Sequence, residues 1–200
     1  MQEMIQEGLS LVQDHAQHDL RAGFRCRLLS TFDKVGDVGR RFRTQLAIVS
    51  VEKVLSTWES MFPSDRTARH ALETADKVLA GAIFPTSAQQ EIGALWTHCD
   101  DLAWKHPDRQ NAIMVGYGAI QAVREALSEK HFGCEHLADT STDMDVDPYD
   151  HDSAFCAAIA YSAGPAWEPT SNAQKRFQFW TWWLRSAGKI AVSVGGIDRV

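Results

Sequence analysis

Cysteine is scarce in this sequence, at Cys26, Cys99, Cys134 and Cys156, with no C-x-x-C pair. A disulfide framework or a four-ligand zinc site would need a richer or more closely paired set. Reduced, buried thiols are therefore the expectation. Long apolar runs are also missing: none approaches the roughly 20 residues a membrane span requires. The opening Met1-Gln-Glu-Met-Ile-Gln-Glu has neither the basic region nor the apolar stretch of a secretory signal. The expected compartment is the cytoplasm.

Catalytic signatures are absent too. No G-x-S-x-G elbow, H-E-x-x-H pair or phosphate-cradling glycine loop occurs. His98 and Cys99 are adjacent on a helical stretch, about 100° apart around its axis, so they cannot face each other as base and thiol. Cys99 falls on the apolar stripe and reads as a core thiol. No catalytic residue is assigned.

The most informative gap is in positive charge. From His131 to Gln174 there is no Lys or Arg, while Glu135, Asp139, Asp143, Asp145, Asp147, Asp150, Asp152 and Glu168 supply eight negative charges. The whole chain carries −6, so the remainder sums to +2. Near the N-terminus the sign reverses, with Arg21, Arg25, Arg27, Lys34, Arg40, Arg41 and Arg43 outweighing Asp33 and Asp37. An acidic patch of this density repels nucleic acid and favours a basic partner or a cation. The arginine-rich stretch lacks interleaved aromatics and any nucleic-acid motif. It reads as a face that pairs internally with the acidic segment.

Two metal readings compete with blander ones. Asp143-Met-Asp-Val-Asp147 opens like a calcium loop, but Pro148 stands where the turn glycine belongs and Ala154 where a bidentate Glu is needed. A non-standard divalent site from Asp145, Asp147, Asp150 and His151, serving a metal-dependent enzyme, is the rival hypothesis. Helix capping and a solvated loop explain the same carboxylates through the helix dipole, and that reading is preferred. His131, Cys134 and His136, like the pair His15 and His18, lack the second Cys/His pair that zinc requires. Neither metal nor cofactor is expected.

What is present is helical periodicity. Val51, Val54, Leu55, Trp58, Met61 and Phe62 form one stripe of a 3.6-residue period, after Ser50 as N-cap and before Pro63. Ala68 to Ile83 repeats the pattern. Ile92, Leu95, Trp96, Cys99, Leu102 and Ala103 follow, opened by Ser87 with Gln90 at capping-box spacing. A fourth helix carries Ala112, Gly116, Ala119, Ile120, Val123, Ala126 and Leu127, small enough for a close neighbour. The connections at 63–66, 84–87 and 106–110 are short, which predicts antiparallel neighbours. Gly36, Gly39 and the arginines around them read as a loop, and Gly23 as an interruption. Residues 134–148 form an acidic loop by composition. Asp147-Pro148 then starts a helix that ends at Gly164-Pro165, and Thr170 or Ser171 caps the last helix. That helix carries Phe177, Phe179, Trp180, Trp182, Trp183 and Leu184, an arc wide enough to be buried centrally. Ile190 to Val194 is the single candidate strand. The expected fold is all-α, an antiparallel multi-helix bundle in one domain over 1–200, with the acidic loop before the last two helices.

Two stretches bear a family resemblance. Val51 to Gly81 is similar to a paired-helix opening with a Pro63-x-Asp65-Arg66 connection. Asp152-Ser-Ala154, Gly164-Pro-Ala-Trp167 and Lys175-Arg-Phe-Gln-Phe-Trp-Thr-Trp-Trp-Leu184 resemble a C-terminal aromatic signature. Together they resemble the fifth immunity-protein family of bacterial polymorphic toxin systems, over residues 50–188. Ala187-Gly-Lys-Ile departs from the Ala-Ile-Pro expected there, and the first 48 residues lie outside the resemblance. The resemblance implies a mostly helical, non-enzymatic protein that protects its producer against a toxin. Many nuclease toxins have basic clefts, onto which the uncompensated acids would be steered. The expected contact residues are Glu135, Asp139, Asp143, Asp145, Asp147 and Asp150, with Trp167 as an aromatic anchor.

Overall fold

The computed structural model describes residues 1–131, 133–134 and 136–195. Those residues form nine α-helices joined by turns and short 3-10 segments, with no strand among them. The helices are α1 (Gln2–Asp14), α2 (Ala22–Leu29), α3 (Asp37–Glu52), α4 (Leu55–Met61), α5 (Thr67–Leu79), α6 (Pro85–Lys105), α7 (Gln110–Leu127), α8 (Ser153–Ser162) and α9 (Ala173–Gly195). The fold is all-α.

Helix α7 is the hub, packing against α3, α4, α5, α6 and α8. Its small residues make this possible. A Cβ on Gly116 would stand 2.7 Å from both the Cys99 sulfur and the Trp58 ring, so only glycine lets α4 and α6 approach this closely. Helix α5 packs more extensively on α7 than on α4 or α6, its neighbours in the chain. Short connections therefore did not decide the most extensive pairing. The aromatic helix α9 is the second hub, touching α1, α3 and α8. One apolar core runs from Val12 to Ala191 through all these interfaces.

Several boundaries differ from the sequence expectation. The segment expected to be a loop around Gly36 and Gly39 is a 3-10 turn (Ser30–Val35), then a turn at Gly36 as expected, and then α3, which includes Gly39. Ser50 lies inside α3 and caps nothing: it is buried, donates to the Leu46 carbonyl at 2.6 Å and accepts from Trp183. The stripe at 51–62 is broken between Glu52 and Leu55, and Met61 faces solvent. Pro85 begins α6 rather than ending the helix before it, since its fixed φ suits the first helical position. Asn172, not Thr170 or Ser171, caps α9, accepting from the Lys175 backbone N–H at 2.9 Å. The β-branched run at 190–194 is helical, because Ala191 of the same stretch packs into the core.

Candidate functional site

The acidic segment is not a free loop. Helix α2 holds it through four of its residues. The Gly23 N–H donates to the Ser141 carbonyl at 3.1 Å. A Cβ on Gly23 would fall 1.8 Å from the Ala138 carbonyl oxygen, so a side chain there would push the loop away. Arg25 makes a bidentate pair with Asp143 and donates to Asp152 at 2.8 Å. Cys26 is joined to Cys134 by a disulfide across 108 residues, with Cα atoms 5.7 Å apart. Arg27 reaches Asp139 at 3.3 Å and also pairs with Glu7.

The disulfide corrects the expectation that all four cysteines stay reduced. Wide spacing in the chain says nothing about distance in the fold. Cys99 and Cys156 are free and buried, as a core role requires. Burial, with the Asp100 and Asp65 carboxylates nearby, pushes the Cys99 thiol up to about 12. His98 turns away from it and bonds Asp65 at 2.6 Å.

Arg25 is the centre of the assembly. Its guanidinium is almost wholly buried between the rings of Phe155 and Trp180, 5.7 and 5.2 Å from their centroids. Burial works against its charge, but Asp143 and Asp152 outweigh that cost and hold it protonated. Burial also holds Asp143 above the usual carboxylate range, although Arg25 opposes the shift. Asp152 lies below that range despite its burial, because Arg25 and the Phe155 N–H favour the anion. Asp152 is the N-cap of α8, accepting from Phe155 N at 2.8 Å. Asp147, expected in that role, caps only a short 3-10 turn through the Tyr149 N–H.

A second buried pair lies behind the first. Arg43 donates to Glu125 at 2.9 Å and pairs with Asp33, and Glu125 bonds His131 Nδ1. Burial disfavours a charged His131 ring, yet the Glu125 carboxylate outweighs it and raises the imidazole above its ordinary range. A proton bound more tightly in the folded state stabilises it fully below the ordinary pKa of 6.5. That contribution is lost as pH rises through the raised folded value. The stability difference between the wild type and His131→Gln is therefore expected to be largest near pH 6 and to shrink by pH 9. Denaturant melts at the two values check it; an unchanging difference would contradict the assigned proton.

The expected contact residues lie in different settings. Asp139, Asp145 and Asp147 are exposed. Asp143 is only 2% exposed and committed to Arg25, so it braces the loop instead of facing a partner. Asp150 is half-buried and paired with Arg124 at 2.9 Å. Glu135 lies outside the described residues. Trp167 is 48% exposed and stacks on Phe155, which in turn meets the His151 ring at a tilt of 32°. Sequence reasoning missed Met144 and Tyr149, 74% and 63% exposed on the same loop. The available signal was two large side chains with apolar surface in a segment that is mostly acidic and polar.

Of the basic stretch, Arg25 and Arg27 pair with the acidic segment, as expected. Arg40 and Arg41 pair instead with Asp37, and Arg43 with Asp33 and Glu125. The rival metal cluster does not assemble. Asp145 accepts from Thr142, Asp147 from Tyr149 and Asp150 from Arg124, while His151 Nε2 contacts the Asp143 carbonyl. Among the described residues, the one group of three ligating side chains with ligand atoms within 4.8 Å is Cys26, His131 and Cys134. Its two sulfurs are bonded to each other.

These features define an all-helical protein whose acidic, aromatic loop is braced rigidly on its body. The Imm5 family, described as immunity protein Imm5, matches residues 5–189, and the chain belongs to it. The match takes in most of the first 48 residues, which the sequence resemblance had left out. Helix α2 and its contacts thus lie inside the family's own span. A comparison with curated proteins gave no match. Membership assigns the chain an immunity role, and the family role implies a toxin as partner. No described helix is long and apolar enough to cross a membrane.

Proposed function

We propose that this protein neutralises a cognate toxin by direct, stoichiometric contact through the loop 139–150 and Trp167. The observation that carries the reading is the coincidence of two exposures on one braced segment. Asp139, Asp145 and Asp147 face solvent, and so do Met144 and Tyr149. Exposed acids steer a basic partner to the surface, Asp145 and Asp147 more than Asp139, which already pairs with Arg27, while large apolar and aromatic side chains supply the buried centre of an interface. The buried Arg25 pair and the disulfide fix the loop before binding, which lowers the ordering cost of association. The partner is a toxin with a basic surface, such as the substrate cleft of a nuclease, occupied without turnover.

The proposed compartment is the cytoplasm, where the targets of such a toxin lie. Reduced thiols no longer support that placement, because Cys26 and Cys134 are joined. It rests on the role alone.

The test is titration of the purified protein with the toxin encoded beside it. The double reversal Asp145→Lys and Asp147→Lys is expected to weaken binding by about 10- to 100-fold, mainly through slower association, and to flatten its salt dependence. Asp143 is excluded from this test, since changing it would disturb the fold. An unchanged affinity and salt slope would remove the loop from the interface.

A further inference from the structure

Beside the acidic loop lies an open pocket of about 300 Å³, lined among others by Trp96, Asp100, Tyr117, Tyr149 and His151. Helix α6 supplies Trp96 and Asp100, α7 supplies Tyr117, and the loop supplies Tyr149. Trp96 is the corner. Its ring centroid lies 5.0 Å from that of Tyr117, tilted by 36°, and 5.5 Å from that of Tyr149, at 68°. The three rings therefore form walls in different planes and not a flat stack. The Asp100 carboxylate accepts the Tyr117 hydroxyl through Oδ1 at 2.6 Å. Its second oxygen makes no hydrogen bond or ion pair among the described residues.

The loop wall is held in place from behind. Gln121 Nε2 donates to the Tyr149 carbonyl at 2.8 Å, and the next residue, Asp150, pairs with Arg124. Tyr149 nevertheless keeps most of its surface in water. This costs an apolar group and is unexplained by packing.

The geometry points to a cation site: we infer that this aromatic pocket takes the guanidinium or alkylammonium head of a Lys or Arg side chain from the bound toxin. The inference rests on the proposed toxin contact for the source of the cation, but not for its chemistry. Aromatic faces carry negative potential and attract cations, more strongly as water is displaced. A carboxylate at the edge of the rings adds a charge-assisted partner for the same head. The volume accommodates a side-chain terminus. The exposed Asp145 and Asp147, close in sequence to the Tyr149 wall, would draw a basic surface towards the opening.

The experiment needs no toxin in its first arm. The ¹⁵N-labelled protein is titrated with N-acetyl-arginine methylamide and with its neutral isostere, N-acetyl-citrulline methylamide, while the Trp96 indole N–H is followed by NMR. Trp96→Phe assigns that signal. The arginine probe is expected to shift it, binding at least about tenfold more tightly than citrulline, with a comparable loss in Asp100→Asn. Equal binding of the two probes, or no shift with either, overturns the cation site. A thermal melt of Asp100→Asn verifies that the variant is folded, and Tyr149→Phe, which keeps the ring, is expected to retain the preference.

In the second arm, Asp100→Asn and Tyr149→Ala are titrated with the toxin. Each is expected to lose about tenfold or more in affinity, and an undiminished affinity in both overturns the assignment of the cation to the partner. Failure of the wild type to bind the toxin at all would instead defeat the proposed function, and it would leave the probe result standing.

Discussion

Replacing Arg25 by methionine is expected to cost about 3–5 kcal/mol of folding stability, the range for breaking one side of a buried ion pair. The side chain is 1% exposed and has no route to water. Methionine fills similar space between Phe155 and Trp180 but donates nothing. Asp143 would then lose its bidentate partner and Asp152 one of its donors. The Leu20 carbonyl would lose the guanidinium as well. The penalty is the uncompensated burial of the carboxylates, more than the loss of attraction itself. Adding Asp143→Leu to Arg25→Met is therefore expected to recover part of the loss, because the orphaned charge disappears with its partner. Urea denaturation of the single and double variants measures both terms. A single-variant loss below about 1 kcal/mol would mean that these carboxylates reach solvent, contrary to the burial described. A second signature is local: cleavage by protease between residues 139 and 150 should accelerate, since Arg25 ties this segment to the body.

That network was invisible in the sequence for a definable reason. Arg25 and Asp143 are separated by 118 positions, and Cys26 and Cys134 by 108. Charge pattern revealed that the two segments have opposite signs, and hence that pairing was plausible. It carried no information about which carboxylate is buried and which is left for a partner. Asp143 and Asp145 look alike in sequence, yet one is bound to a guanidinium and the other caps a turn in the open. The pocket formed by Trp96, Tyr117 and Tyr149 is equally non-local. Trp96 alone of the three was read from its stripe; packing of α6 on α7 brings Tyr117 to it, and the loop adds Tyr149.

Local periodicity was far more readable. The wide apolar arc of α9 predicted central burial, and Phe179, Trp180, Trp183 and Leu184 are fully buried. Errors clustered where local preference and tertiary packing disagree. Gly36 does sit in a turn, at a φ of 61°, but Gly39 is helical, since a glycine in the first helical turn costs little against the burial gained by Phe42, Leu46 and Val51 on α3. Ile190 to Val194 suggested a strand, but β propensity reflects surroundings more than backbone, and here the surroundings are helices.

The same helix gives the second large effect. Trp183→Ala is expected to destabilise the protein by about 3–5 kcal/mol, as for other aromatic truncations in a packed core. Trp183 is 0% exposed and meets Trp180 edge to face, with centroids 5.7 Å apart at 88°. It lies where α9 meets α3, and its Nε1–H donates to the Ser50 hydroxyl at 3.0 Å. That hydroxyl passes its own proton on to the Leu46 carbonyl, so the indole closes a short buried chain of hydrogen bonds. Two smaller changes separate the packing from the polar term. Trp183→Phe keeps much of the apolar area and removes the donor, whereas Ser50→Ala keeps the whole indole and leaves its N–H buried without an acceptor. Ser50→Ala is expected to cost about 1–3 kcal/mol, the price of an unsatisfied buried donor. In the Trp183→Phe background the same Ser50→Ala change should cost much less, since no donor remains to be stranded. Equilibrium denaturation of the four proteins gives the coupling directly. Strict additivity would show that the indole N–H reaches water by another path, and that Ser50 earns its burial only through Leu46.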